Sequence, residues 1–231
     1  MASTSERPQW LATAPENDLS EVQHVAVAFR IYDHGTHVGV IYRAEQGGPA
    51  LLHLAWHHRL TSEHPDAGYG WVQPPIHPSR ARSLAGLCRL IWKRFNETGV
   101  AYYAFRYAAD AFDPTTGDAL LGDSIHGLTC STFVLAVFET FAIRLLDLDQ
   151  WTSNPREDDR VAQERLLELL RRTGAERAHC EAVEQEIGCV RFRPEEVAGG
   201  SSASPLPASF AYAERAGVEL IAALMQRNKN P

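Results

Sequence analysis

A cysteine attacks only as its thiolate, and a helix N-terminus or a neighbouring imidazolium lowers the pKa that sets its supply. Cys130 stands where the first can act. Gly127-Leu128-Thr129 closes an irregular stretch, and beyond Ser131 and Thr132 the residues Phe133, Val134, Val137, Phe138, Phe141 and Leu145 make one apolar stripe. The spacing predicts a central helix starting at Cys130, with its sulfur turned inward onto the side chains of a sheet. Two histidines fall in runs that supply such a sheet. His37 opens the run His37 to Tyr42 with Gly39 and Ile41 on its face, and His53 lies beside Leu51 and Ala55 in the run Ala50 to Trp56. They are sixteen residues apart with a Gly-Gly-Pro turn between. On antiparallel neighbours they come within a rung or two and can share a face. Cys130, His37 and His53 then satisfy the logic of nucleophile, base and orienter, in the chain order base, orienter, nucleophile.

Other chemistry-bearing residues are weighed against plainer roles. Cys88 sits in an apolar helical stripe and reads as an inert core thiol. His126, four residues before Cys130, is a reserve base in a loop. His57 and His58 invite a metal reading with His53, but solvated histidines are the expected reading. Neither His179-Cys180 nor Cys189 has the spacing of a structural zinc site, so no metal and no cofactor is expected. The Cys130 backbone N–H is the natural first donor to a tetrahedral oxyanion, and Tyr32 or His34 is a candidate for the second.

Three segments together resemble a known family. His37-Val38-Gly39-Val40-Ile41-Tyr42, Leu51-Leu52-His53-Leu54 and Thr129-Cys130-Ser131-Thr132-Phe133-Val134 are similar to the circularly permuted, papain-like branch of the NlpC superfamily, which contains the lecithin:retinol acyltransferase-like proteins. The likeness spans about Val25 to Leu146. It implies Cys130 as nucleophile, His37 as base and His53 as orienter, working through an acyl-thioester. The acyltransferase subgroup usually has Asn before its cysteine and Glu-His after it, where this chain has Thr129 and Ser131-Thr132. Hydrolysis of an amide, isopeptide or thioester in a peptide, protein or small acyl-amide is therefore the expected activity. A thiol acyltransferase and an inactive papain-like binding module are the alternatives.

The elements that must position these residues predict an α+β fold, an antiparallel sheet packed on the cysteine helix with extra C-terminal helices. Val25 to Ile31 alternates as a first strand, and Ala101 to Tyr107 and Val190 to Arg193 are further strand candidates. Leu84 to Phe95 and Asp158 to Arg172 carry helical spacing. Asp110 to Gly127 reads as a long loop that shapes the substrate groove or closes as a lid. The expected organisation is a loose tail over residues 1–20, a catalytic domain over 21–198, a linker over 199–207 and a C-terminal helix over 208–231 that packs back or meets a protein partner. With 22 Lys and Arg against 29 Asp and Glu, net charge −7, no broad field attracts nucleic acid. No apolar run reaches the roughly 20 residues that span a bilayer, and Met1 to Pro15 lacks an export signal's apolar core. A cytoplasmic location is the resulting expectation.

Overall fold

The computed structural model of the chain describes residues 11–13, 22–44, 48–121, 126–151 and 156–229. It is α+β. Six strands, β1 (Leu11–Thr13), β2 (Val25–Tyr32), β3 (Gly35–Arg43), β4 (Pro49–Trp56), β5 (Arg59–Glu63) and β6 (Gly70–Val72), form one sheet in the order β1-β6-β2-β3-β4-β5. Every pairing is antiparallel. The expected hairpin is β3 with β4, registered Val40 to Leu52 and Ile41 to Leu51. Leu11–Thr13 adds an edge strand to what was read as a loose tail, whose other residues, 1–10 and 14–20, lie outside the described ones.

Alternation sorts the side chains. Val27, Phe29, Val38, Val40, Leu52 and Leu54 join the main core beneath the helices, and Ala26, Ala28, Ile41, Leu51, Tyr69 and Trp71 form a smaller cluster on the other face. The helices are α1 (Pro78–Thr98), α2 (Cys130–Glu139), α3 (Glu157–Arg172), α4 (Arg177–Glu184), α5 (Pro194–Gly200) and α6 (Phe210–Lys229). Helix α2 packs on β3 and β4 and is flanked by α1 and α5. It is buried on nearly all sides, from Ser131 to Phe138, so it is the central helix that its composition predicts.

Three expectations need correction. Ala101 to Tyr107 joins no sheet, because its backbone is met by side chains and by the Leu128 and His58 backbones. His58 Nδ1 accepts from Ala101 N, His57 Nδ1 from Tyr103 N, and Glu186 Oε2 from both Phe105 N and Arg106 N. Val190 to Arg193 is likewise irregular, since Arg191 and Arg193 turn onto Asp159 and Pro194 starts α5. Residues 199–207 are not a linker. Gly199 and Gly200 close α5 where it crosses α6, and a Cβ on Gly199 would come 2.6 Å from Gly217 N. The glycines are there for close helix approach, not for flexibility, and α6 is thereby fixed on α5.

Candidate active site

Helix α2 begins where the sequence places it. Thr129 is the N-cap: its Oγ1 accepts from Thr132 N at 3.1 Å, while Thr132 Oγ1 accepts from Thr129 N at 2.7 Å. This reciprocal box holds Cys130 at the first helical position. The Cys130 N–H has no partner among the described residues, as befits one of the four amides a helix start leaves unpaired.

On the sheet, His37 Nε2 and His53 Nδ1 are 2.7 Å apart. The next links were not read from the sequence. His53 Nε2 lies 2.6 Å from Thr61 Oγ1 and 3.2 Å from Glu63 Oε1, both on β5. A carboxylate only accepts, so Glu63 fixes the proton on His53 Nε2. His53 Nδ1 must then accept from His37 Nε2–H, leaving the lone pair of His37 on Nδ1. The atom available as a base is thereby determined by a chain of three side chains. Gly39 makes room for it, since a Cβ there would fall 2.7 Å from His53 Cβ.

Cys130, His37 and His53 line one cleft of about 490 Å³, with Tyr32, His34, Trp56, Tyr103, Leu166 and Phe192 among its other walls. The sulfur does not meet the imidazoles face to face as expected. His37 shares its side of β3 with Gly39 and Ile41, while Val38 and Val40 point towards α2. Paired residues of β3 and β4 begin at Val40 and Leu52, so Val38 lies beyond the paired stretch, where its backbone and Ser131 are close enough to the Cys130 sulfur to favour the thiolate. The thiol and the imidazoles therefore enter the cleft around the backbone of β3.

The electrostatics also depart from a preformed ion pair. Burial pushes the Cys130 thiol up from its ordinary value, although the Val38 and Ser131 donors and the Arg191 charge pull it down. Burial likewise pushes His37 and His53 well below the usual histidine range, and Glu63 opposes this for both. These directions leave the thiol and both imidazoles neutral at rest. Cys88 is buried within α1 and its thiol is pushed up to about 12, in keeping with an inert core role. His126 lines a separate cavity of about 300 Å³ and not the cleft. The described part of the Asp110 to Gly127 loop is tied to α1 through Arg94 and Asp118 and also lines that second cavity; residues 122–125 lie outside the described ones.

A trio of His57, His58 and Glu176 brings ligand atoms within 4.8 Å of one another. His57 is not solvated as expected; its side chain is only 7% exposed. Both rings use Nδ1 to accept a backbone N–H, so each neutral ring carries its proton on Nε2, facing Glu176. That leaves no lone pair for a metal. The trio instead clamps α4 to the β4–β5 turn.

No helix among the described residues is long and apolar enough to cross a membrane. Compared with protein-family models, with curated proteins and with solved structures, the chain matches none.

Proposed function

We propose that the protein is a cysteine hydrolase of permuted papain-like type that cleaves an amide, isopeptide or thioester bond. The observation that carries this reading is the shared cleft. Cys130 opens a helix there, and the chain from Glu63 through His53 leaves the His37 Nδ1 lone pair as the base. When a substrate carbonyl enters, the Cys130 side chain turns from Val38 towards His37. The Sγ–H proton passes to His37 Nδ1 as sulfur bonds to the carbonyl carbon. Positive charge then grows on His37, and Glu63 offsets it through His53. The Cys130 N–H donates to the oxyanion, with the hydroxyl of Tyr32, another lining residue, as the second donor. His37 returns its proton to the leaving nitrogen or sulfur, the C–N or C–S bond breaks, and an acyl-thioester remains on Cys130. Water, deprotonated by His37, releases the acid and restores the thiol.

Transfer to an amine or alcohol is the competing outcome for the same intermediate. The test is a mixed peptide and acyl-amide library incubated with the wild type and with Cys130→Ala. The reading expects new termini or released acids with the wild type alone. Equal product with Cys130→Ala would overturn it, and product that appears only when an added amine is present would replace hydrolysis with transfer.

A further inference from the structure

The protein as a whole is acidic, with net charge −7, yet its cleft is not. Among the described residues that line it there is no Asp or Glu, and the two side chains of fixed charge are both arginines, Arg165 and Arg191. They come from different elements. Arg165 stands on the face of α3 that also presents Ala162, Leu166 and Leu169 to the cleft. It is exposed and has no hydrogen bond or ion pair among the described residues. Its helix neighbour Glu164 is occupied by Arg160.

Arg191 belongs to the irregular stretch before α5, with its side chain 28% exposed. Its NH1 donates to Asp159 Oδ1 at 3.1 Å. That carboxylate does not cancel its charge. Asp159 also binds Arg156 and Arg193, and Arg156 in turn binds Glu196. Three guanidinium groups thus face two buried carboxylates, leaving one positive charge in excess beside the cleft. The ion pair also holds the Arg191 guanidinium in place, so little side-chain freedom is lost when it binds a ligand. Two carboxylates stand close behind the lining residues, each on a neutral partner, and neither lines the cleft itself: Glu195 accepts from Thr36 Oγ1 at 2.7 Å, and Glu63 meets His53. Arg191 is near enough to act on the Cys130 thiol electrostatically. The same cleft has an apolar and aromatic share of its walls, with Trp56, Tyr103, Phe105, Leu166 and Phe192.

We infer that the cleft takes an acyl substrate that carries a carboxylate next to an apolar or aromatic group, with Arg165 and Arg191 holding the anion and Cys130 facing the carbonyl. This rests on Cys130 being the reactive thiol of the cleft. It adds the substrate class: an acidic acyl donor, selected by charge in a protein of net negative charge. Fixed guanidinium groups lining a cleft act more strongly than the same charges in open water, since apolar walls focus the field.

The test uses two small probes on the full chain. Alkylation of Cys130 by iodoacetate and by iodoacetamide is followed by mass spectrometry at pH 8, where both imidazoles are neutral. The ratio of the two rates cancels the thiolate fraction, and it is normalised to the same ratio for β-mercaptoethanol. The expected normalised ratio for Cys130 is about threefold to tenfold in favour of the anion, falling towards one as salt is raised. Arg165→Gln and Arg191→Gln each lower it, and Arg165→Glu, an exposed substitution that leaves the core untouched, lowers it by threefold or more. A ratio at or below one in the wild type, or one unmoved by Arg165→Glu and Arg191→Gln, overturns the inference. A preserved ratio with Cys130 labelling no faster than Cys189 by either reagent supports the charge selection and counts against the nucleophile reading alone.

Discussion

The proposed base is oriented by a carboxylate that does not line the cleft itself. Glu63 sets the His53 tautomer, His53 sets that of His37, and the lone pair on His37 Nδ1 follows from those two constraints. Glu63 is a positioning residue, and Glu63→Gln should lower kcat by roughly tenfold with little change in KM, because an amide can donate as well as accept and no longer dictates the proton's place. Nitrogen NMR of the His53 ring reads this directly: the Nε2–H tautomer should dominate in the wild type and share its population with the Nδ1–H form in the variant. An unchanged tautomer with lowered kcat would assign Glu63 some other role. His37, His53 and Cys130 were legible because each sits in a long periodic run whose faces can be counted. Glu63 and Thr61 were not. Their strand, Arg59–Glu63, is five residues long, and the turn before it has His57 and His58 where Gly or Asn would have announced a hairpin. His58 adopts φ 54° there, a left-handed conformation that sequence does not advertise for histidine.

The hairpin and the helix start fix the positions of those side chains, and each has a residue that can be tested. At Gly39 an added methyl must push His53 aside, since it would come within 2.7 Å of the His53 Cβ and 3.0 Å of the Leu52 carbonyl. Gly39→Ala should cost about 1–3 kcal/mol of stability and disturb the His37–His53 bond. Loss of stability without loss of the downfield ring-proton signal of that bond would contradict the role given to Gly39. At the other end, Thr129→Ala removes the α2 cap and should cost about 1 kcal/mol, lowering Tm by about 2–4 °C in a domain of this size. Thr129→Ser, which keeps the hydroxyl, should recover most of it. Elements with strong period signals, β2, the β3–β4 hairpin, α1, α2, α3 and α6, were readable from the chain. Ala101 to Tyr107 looked like a strand because extended segments share composition whether their amides meet a strand or, as here, His57, His58 and Glu186. Gly199 and Gly200 looked like a linker because sequence alone does not separate a glycine needed for flexibility from one needed for a close helix crossing.

At the scale of the molecule, an acidic protein houses a cleft whose described lining has no acidic side chain and includes two histidines kept neutral. That neutrality ties stability to pH. With His37 and His53 both lowered in the folded state, the unfolded chain takes up protons first, from about pH 6.5 downward. Their contribution is full above that value and is lost as pH falls towards about 4, where the folded histidines titrate. Urea unfolding at pH 7 and at pH 4.5 should differ by on the order of 3 kcal/mol from this pair, and a His37→Gln, His53→Gln variant should show a flatter dependence. An equal slope in the variant would place the acid sensitivity elsewhere. The α+β class and the antiparallel sheet were readable because they rest on period and order, whereas the sharing of one cleft by the thiol and the imidazoles across β3 depends on where two strands stop pairing, which no local pattern records. The central claim is that Cys130 forms an acyl-enzyme with help from His37, and the most direct measurement is rapid mixing with p-nitrophenyl acetate followed by intact-mass and peptide mapping. The account predicts a burst of one p-nitrophenol per chain, an acetyl group on Cys130, no burst with Cys130→Ala, and acylation slowed at least about tenfold by His37→Ala. A burst that survives Cys130→Ala, or an acetyl group that maps to Cys88, Cys180 or Cys189 instead, would contradict it.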